Sequence, residues 1–248
     1  MHRIFFFIIF AFAGVLFFFS CKKTEMPAYP APNDYYPLRI GASFTYRVDS
    51  TVLAPFGSAL LVVSHDLKDS IVSTFNDDAG RLSYLVYRFI TDTLQTQPWQ
   101  YISTYFITPT STDIEVVDEN NFRFIKLVTP IAAGRSWLGN AYIDTKSVNS
   151  NVQYLDGWNY TYENVNMPDT VQRGIIDSTV TVLQQDESTP GDFSTSDLYY
   201  EKNYSVEVYG KGIGLIYKDF LHWTWNQNPE PAYSDDSYGI RLSLISYH

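Results

Sequence analysis

From residue 43 to the C-terminus, apolar and polar residues alternate in short runs separated by turn-forming clusters. Phe44, Tyr46 and Val48 alternate with Thr45, Arg47 and Asp49, and a period of two is the signature of a strand with one buried face. Runs of the same kind, rich in aromatic and β-branched residues, predict roughly ten to twelve strands. They cover Ser43 to Ala54, Ala59 to Phe75, Arg81 to Thr93, Trp99 to Thr108, Asp113 to Val117, Phe122 to Thr129, Ser136 to Ile143, Val152 to Tyr162, Ile175 to Gln184, Leu198 to Tyr209, Gly214 to Trp225 and Ile240 to Tyr247. Clusters such as Asn76-Asp77-Asp78-Ala79-Gly80, Asp118-Glu119-Asn120-Asn121 and Asp156-Gly157 mark the turns. No segment sustains apolar residues at helical spacing between caps. The expected fold is therefore all-β: a strongly twisted antiparallel sheet, curled into a barrel-like or two-layer form, with few or no helices.

The first residues follow another pattern. His2 and Arg3 precede sixteen residues, Ile4 to Phe19, without a charge or strong polar group, and Ser20 then stands before Cys21, the chain's one cysteine. That order is a secretory signal peptide. As a retained helix the run would rise about 24 Å, short of the roughly 30 Å hydrocarbon core of a bilayer. Phe18-Phe19-Ser20-Cys21 resembles the lipobox of bacterial lipoproteins, with phenylalanines where leucine and a smaller residue are usual. The resemblance implies that Cys21 is lipidated and becomes the mature N-terminus, with several acyl chains making the attachment stable. The expected organisation is a signal peptide over 1–20, a lipidated Cys21 and proline-rich tether over 21–34, and one β-rich envelope domain over 35–248. Pro27, Pro30 and Pro32 hold the tether extended, with low order expected before Tyr35.

Composition narrows the partners. The formal net charge is −10 and the pI near 4.7, which argues against nucleic acid, whose binding rests on Lys and Arg displacing counterions. With its one cysteine committed to lipid, the mature chain makes no intramolecular disulfide. Its stability must come from the core.

Pro37, Gly41, Ser43 and Phe44 are echoed by Pro130, Gly134, Ser136 and Trp137, giving P-x-x-x-G-x-S-aromatic twice. In both, proline and glycine would set a turn that launches an aromatic-bearing strand. The stretches Tyr36-Pro37-Leu38-Arg39-Ile40-Gly41, Gly134-Arg135-Ser136-Trp137 and Gly212-Ile213-Gly214-Leu215-Ile216-Tyr217 resemble blocks of uncharacterised envelope lipoproteins of the Bacteroidota. That resemblance implies an antiparallel β-rich domain on a lipid anchor and no established activity.

Candidate chemistry is sparse. Gly210-Lys211-Gly212-Ile213-Gly214 looks like a phosphate loop but continues into a strand rather than a helix, so a hairpin turn or bulge is expected. His65 and Asp66, neighbours on a strand, point to opposite faces. His222 and His248 have no Cys or carboxylate at metal-ligand spacing, and neither H-E-x-x-H nor G-x-S-x-G occurs. The carboxylates Asp77, Asp78, Asp118, Glu119, Asp235 and Asp236 fall in turns, where such residues serve backbone bonding. No catalytic residue, metal or cofactor is assigned.

Two aromatic sets offer a ligand platform. Trp158, Tyr160 and Tyr162 share one strand face, as do Trp223 and Trp225. Each set is either a stacking surface for a sugar or apolar ligand, or a core stripe. Asp followed by Ser or Thr and an aliphatic residue or threonine occurs five times, at Ser50, Ser70, Thr93, Thr170 and Ser178, against about one expected from composition. The pattern resembles the O-glycosylation acceptor of Bacteroidota envelope proteins.

These features describe a lipid-anchored envelope protein that binds rather than catalyses, with a glycan, an apolar ligand or an envelope protein as partner and the membrane as its support. The alternatives are a lipid or lipoprotein carrier with a cavity inside the curled sheet, and a carboxylate-based hydrolase. Lys22-Lys23-Thr24-Glu25 is not an acidic export run, which favours the outer membrane facing the periplasm. Cys21→Ser should release the protein from membranes or leave it unprocessed, and intact mass of the wild type should show a lipidated N-terminus at Cys21. A mature N-terminus elsewhere, or one without lipid mass, would refute the anchor.

Overall fold

The computed structural model describes residues 29–171, 174–189, 199–227 and 232–248; Cys21 lies outside them. The strands are β1 (Ser43–Leu53), β2 (Leu60–Asn76), β3 (Leu82–Thr91), β4 (Gln100–Pro109), β5 (Asp113–Val117), β6 (Arg123–Val128), β7 (Ser136–Leu138), β8 (Asn159–Val171), β9 (Gly174–Ser188), β10 (Tyr199–Gly210), β11 (Gly214–Asn226), β12 (Ala232–Tyr233) and β13 (Tyr238–Tyr247). Every pairing is antiparallel. The chain meanders from β1 to β6 and from β7 to β13, β13 returns to pair with β1, and the two-residue β12 pairs only with β11. The result is one sheet, nearly closed as a barrel, as the alternating pattern predicts.

The path ends at β6 on one side and β7 on the other, and side chains close this seam. Ile125 N–H donates to Gly139 O at 2.8 Å, and the Trp137 indole Nε1 donates to Ile125 O at 2.8 Å. The Tyr162 hydroxyl accepts from Val128 N–H at 2.6 Å and donates to Val128 O at 2.8 Å, imitating a strand neighbour. Gly139 passes so close to the Tyr160 ring that a Cβ there would lie 2.2 Å from it. Only glycine fits.

That contact explains why β7 stops at Leu138 rather than running to Ile143. The chain peels away at Gly139 into a long connection, where Asn140 donates to Leu155 O and accepts from the Tyr160 hydroxyl. Val152 to Leu155, expected in a strand, instead contributes a 3-10 turn, Gln153–Leu155, in which Leu155 is buried. Strand β8 begins at Asn159 and continues past Tyr162 because Asn164 and Asn166 adopt positive φ and the ladder to β9 shifts register around them.

The repeated P-x-x-x-G-x-S-aromatic motif has one geometry in both places. Gly41 and Gly134 have φ of 87° and 78°. Gly41 N–H donates to Ile71 O while Ile71 N–H donates to Ala42 O; Gly134 N–H and Tyr162 O, then Tyr162 N–H and Arg135 O, repeat the same two bonds. Ser43 then pairs with Ser70, and Ser136 with Thr161. Each six-strand half of the barrel therefore opens with the same clamp.

One end of the barrel carries the β8–β9 and β10–β11 turns, and the N-terminal segment closes it. A single helical turn, α1 (Pro32–Tyr35), buries Pro32 and Tyr35. The Tyr35 hydroxyl donates to Asn166 Oδ1 at 2.6 Å, and Gly212 N–H donates to Asp34 O at 2.7 Å. Residues 32–34, assigned to the tether by proline content, therefore belong to the domain. The Gly210–Gly214 stretch is the expected hairpin turn, with Gly212 at φ 72°.

Removing the Tyr162 hydroxyl in Tyr162→Phe strands two backbone groups of Val128. It should cost about 1–3 kcal/mol in urea unfolding. Gly139→Ala should cost a similar amount by forcing the Tyr160 ring away, roughly 1–3 kcal/mol.

Candidate functional site

Strand alternation sends Phe44, Tyr46 and Val48 of β1, Leu67, Asp69 and Ile71 of β2, and their counterparts on the other strands into the barrel. There they enclose a cavity of about 1090 Å³. The N-terminal segment covers one end of it with Tyr36 and Leu38. The mouth lies at the other end, where Glu119, Asn120, Asn151, Asp235 and Asp236 are both exposed and cavity-lining.

Charges sit inside the wall. Asp69 takes a bidentate bond from Arg88, at 2.8 and 2.9 Å, and a third from the Tyr105 hydroxyl at 3.0 Å. Glu207 accepts from Lys126 Nζ at 2.8 Å and from the Tyr209 hydroxyl at 2.6 Å, with Lys218 Nζ 3.5 Å away. Burial alone would raise the Glu207 pKa, but the two ammonium groups and its hydrogen bonds outweigh it and hold the pKa at about 2. Burial lowers the Lys218 pKa, the nearby Lys126 charge lowers it further, and Glu207 opposes both. Burial raises the pKa of Tyr36, Tyr46, Tyr105, Tyr160 and Tyr209, so their hydroxyls stay neutral donors. The arrangement can hold an apolar body and meet a polar group on it.

No protein-family model matches the chain, and no curated protein matches it. One solved structure to which it is similar is a Bacteroides fragilis protein described as having a YmcC-like fold and proposed to be exported. The identity is 10%, the match covers 89% of this chain and 100% of that one, and the TM-score is 0.38. A likeness this slight carries no function over.

The two aromatic sets do not form one platform. Trp158, Tyr160 and Tyr162 are 2%, 1% and 0% exposed and belong to the core, with Trp158 and Tyr160 in the cavity wall. On β11 it is Phe220, His222 and Thr224 that face inward, so Trp223 and Trp225 lie half-buried on the outer face. Of the two readings of Trp158, Tyr160 and Tyr162, their burial matches the core stripe rather than an open surface, with the indole bonded to Tyr154 O and the hydroxyls to Asn140 and Val128.

The hydroxyls at the five Asp-Ser/Thr sites have different settings. Thr170 is exposed at the β8–β9 hairpin and Thr93 half-buried after β3. Ser50, Ser70 and Ser178 lie within strands rather than at their ends; Ser50 lines the cavity and Ser178 hydrogen-bonds the Tyr35 hydroxyl. At Asp69-Ser70-Ile71, the aspartate is the inward ion that holds Arg88.

His65 and Asp66 do take opposite faces, with Asp66 bound by Arg47 and Gln95. His222 acquires a carboxylate that spacing along the chain concealed: its Nε2 lies 3.5 Å from Asp236 Oδ2, its Nδ1 2.6 Å from Asn203 Oδ1, and its ring stacks on Tyr154 at 3.9 Å. The turn carboxylates Asp118, Glu119, Asp235 and Asp236, from two separate connections, meet around the mouth. Asp77 and Asp118 also cap their own turns, as expected. Among the described residues no cluster of three or more His, Cys, Asp or Glu has metal-site geometry.

The inward ions escaped the sequence reading, although a signal existed. Asp69 stands between Leu67 and Ile71, Arg88 between Val86 and Ile90, and Lys218 between Ile216 and Phe220. A charge in the apolar phase of a strand is costly unless paired, and three of them imply a shared polar interior.

Glu207 has a folded-state pKa below the ordinary 4.5. It therefore contributes stability that is complete above about pH 4.5 and lost as the pH falls toward about 2. Glu207→Gln, which leaves two buried ammonium groups without their carboxylate, should destabilise by about 3–5 kcal/mol at neutral pH. In urea titrations the gap to wild type should narrow between pH 4.5 and 2.

Proposed function

We propose that this is a non-catalytic binding protein of the cell envelope that holds an apolar or amphipathic molecule inside its barrel and is tethered by a lipid on Cys21. The cavity carries this reading. At about 1090 Å³ it lies just above the roughly 300–1,000 Å³ typical of ligand sites, and like them it sets polar groups in an apolar and aromatic wall. A carrier with a cavity inside the curled sheet, rather than an open aromatic platform, is the form of binding that the wall supports.

The tether fits that role. Eight residue steps lead from Cys21 to Tyr29, a reach of at most about 29 Å. The chain enters at the closed end of the barrel, so an anchored domain would turn its mouth away from the membrane that holds it. Exchange of the bound molecule would then take place with the compartment or with a partner.

A neutral apolar fluorophore such as N-phenylnaphthylamine should bind the chain from residue 21 onward, carrying Cys21→Ser, saturably and at one per chain. Ile240→Trp, which fills the wall near the mouth, should weaken that binding at least about tenfold, a loss of roughly 1.4 kcal/mol. Absence of saturable binding to the folded protein would overturn the reading.

A further inference from the structure

The cavity wall is polarised along the barrel axis. Strand β11 runs from the closed end to the mouth and presents Lys218 and then Phe220; β3 presents Arg88 and then Ile90. Strand β6 runs the other way and presents Phe124 before Lys126, with Phe122 just ahead of it, while Ile240 precedes Leu242 on β13. On these strands the charged groups lie deeper than the apolar side chains that lead to the mouth, while Phe44, Ile71 and Leu215 continue the apolar wall to the closed end.

In the closed half the charges do not balance; Asp118, which lines the same cavity and acts on Lys126, belongs to the rim. Arg88 is matched by Asp69 in a bidentate pair. Glu207 faces two ammonium groups, and Lys126, at 2.8 Å, is the closer. Lys218 is left as a surplus cation, and 27% of its side chain remains accessible, against 12% for Lys126. A surplus charge inside a protein costs free energy until a counter-charge joins it. One rung toward the mouth, Gln184 is 3% exposed and lines the cavity. Its Oε1 accepts from the Ser205 hydroxyl at 2.7 Å, and its Nε2 makes no hydrogen bond among the described residues. A buried donor without a partner is what a ligand acceptor would satisfy.

We infer that the barrel binds a single-chain amphiphile with one acidic group, the acid seated on Lys218 in the closed half and the tail extending past Phe220, Ile240 and Trp158 toward the mouth. This rests on the proposal that the barrel interior is a binding site, and adds the sign and place of the ligand's charge. The four carboxylates at the rim repel small free anions, so the tail, rather than the charge, drives entry.

The test compares dodecanoate with dodecan-1-ol on the chain from residue 21 carrying Cys21→Ser, by displacement of the neutral fluorophore. Dodecanoate should bind about tenfold tighter than the alcohol, on the scale of one charge-assisted hydrogen bond in an enclosed site. Lys218→Gln should abolish the acid's advantage over the alcohol, so that the two probes bind alike. Equal binding of the two probes to the unaltered wall would overturn this inference while leaving the binding role standing, and needs no variant to fold. Failure of both probes and of the fluorophore would remove the binding role itself. Displacement of dodecanoate by millimolar inorganic phosphate would show a site for free anions and overturn the amphiphile.

Discussion

The barrel depends on the hydroxyl of Tyr162 acting as a strand. Where β6 and β7 should complete the ring, β7 is three residues long, and one tyrosine and one indole supply the bonds a longer ladder would make. Closure matters because an open meander would present two unpaired edges to solvent and to other chains. It also decides what the inner face is. In an open sheet Asp69, Lys126 and Glu207 would be wet and of little consequence, whereas in a ring they are enclosed and must find partners.

The seam draws on the core that it closes. Tyr162, Trp137 and Tyr160 are packed on one another, with ring centroids of Trp137 at 4.5 Å from Tyr162 and 5.8 Å from Tyr160. Tyr160 reaches Asn140, which fixes the long connection, and that connection brings Tyr154 onto His222 at the mouth. Closing the ring and shaping the entrance are thus one continuous set of contacts. The clamp at Gly134 repeats the clamp at Gly41, so each half enters the sheet by the same local device, and only the second half has to meet a free edge.

An interior that keeps a large cavity and five ionised groups is not arranged for stability. A cavity forfeits contacts at its lining, and buried ion pairs seldom repay their desolvation. Aliphatic side chains at the same inward positions would make a tighter barrel. Retaining Asp69, Arg88, Lys126, Glu207 and Lys218 around an open volume makes sense where the volume is used, and this ties the energetics of the wall to the binding role proposed for it.

Much of this was legible along the chain. The period-two pattern placed most strands to within a residue or two, since alternation is dictated by which face is buried and needs no knowledge of the neighbour. The glycine turns were legible for a similar reason, because positive φ at Gly41 and Gly134 is a local demand. Where contacts between distant residues set the structure, the pattern failed: β7 ends at Leu138 because of a ring twenty-one positions after Gly139, and β8 crosses Asn164 and Asn166 because β9 holds it. The site was less legible still. Alternation showed that Trp158, Tyr160 and Tyr162 share a face, but only closure of the ring made that face the inside, sent Trp223 and Trp225 to the outside, and brought Lys218 of β11, Lys126 of β6 and Glu207 of β10 around one enclosed space. Local propensity determines strands and turns; which side of a curled sheet is enclosed depends on its last, longest-range contact.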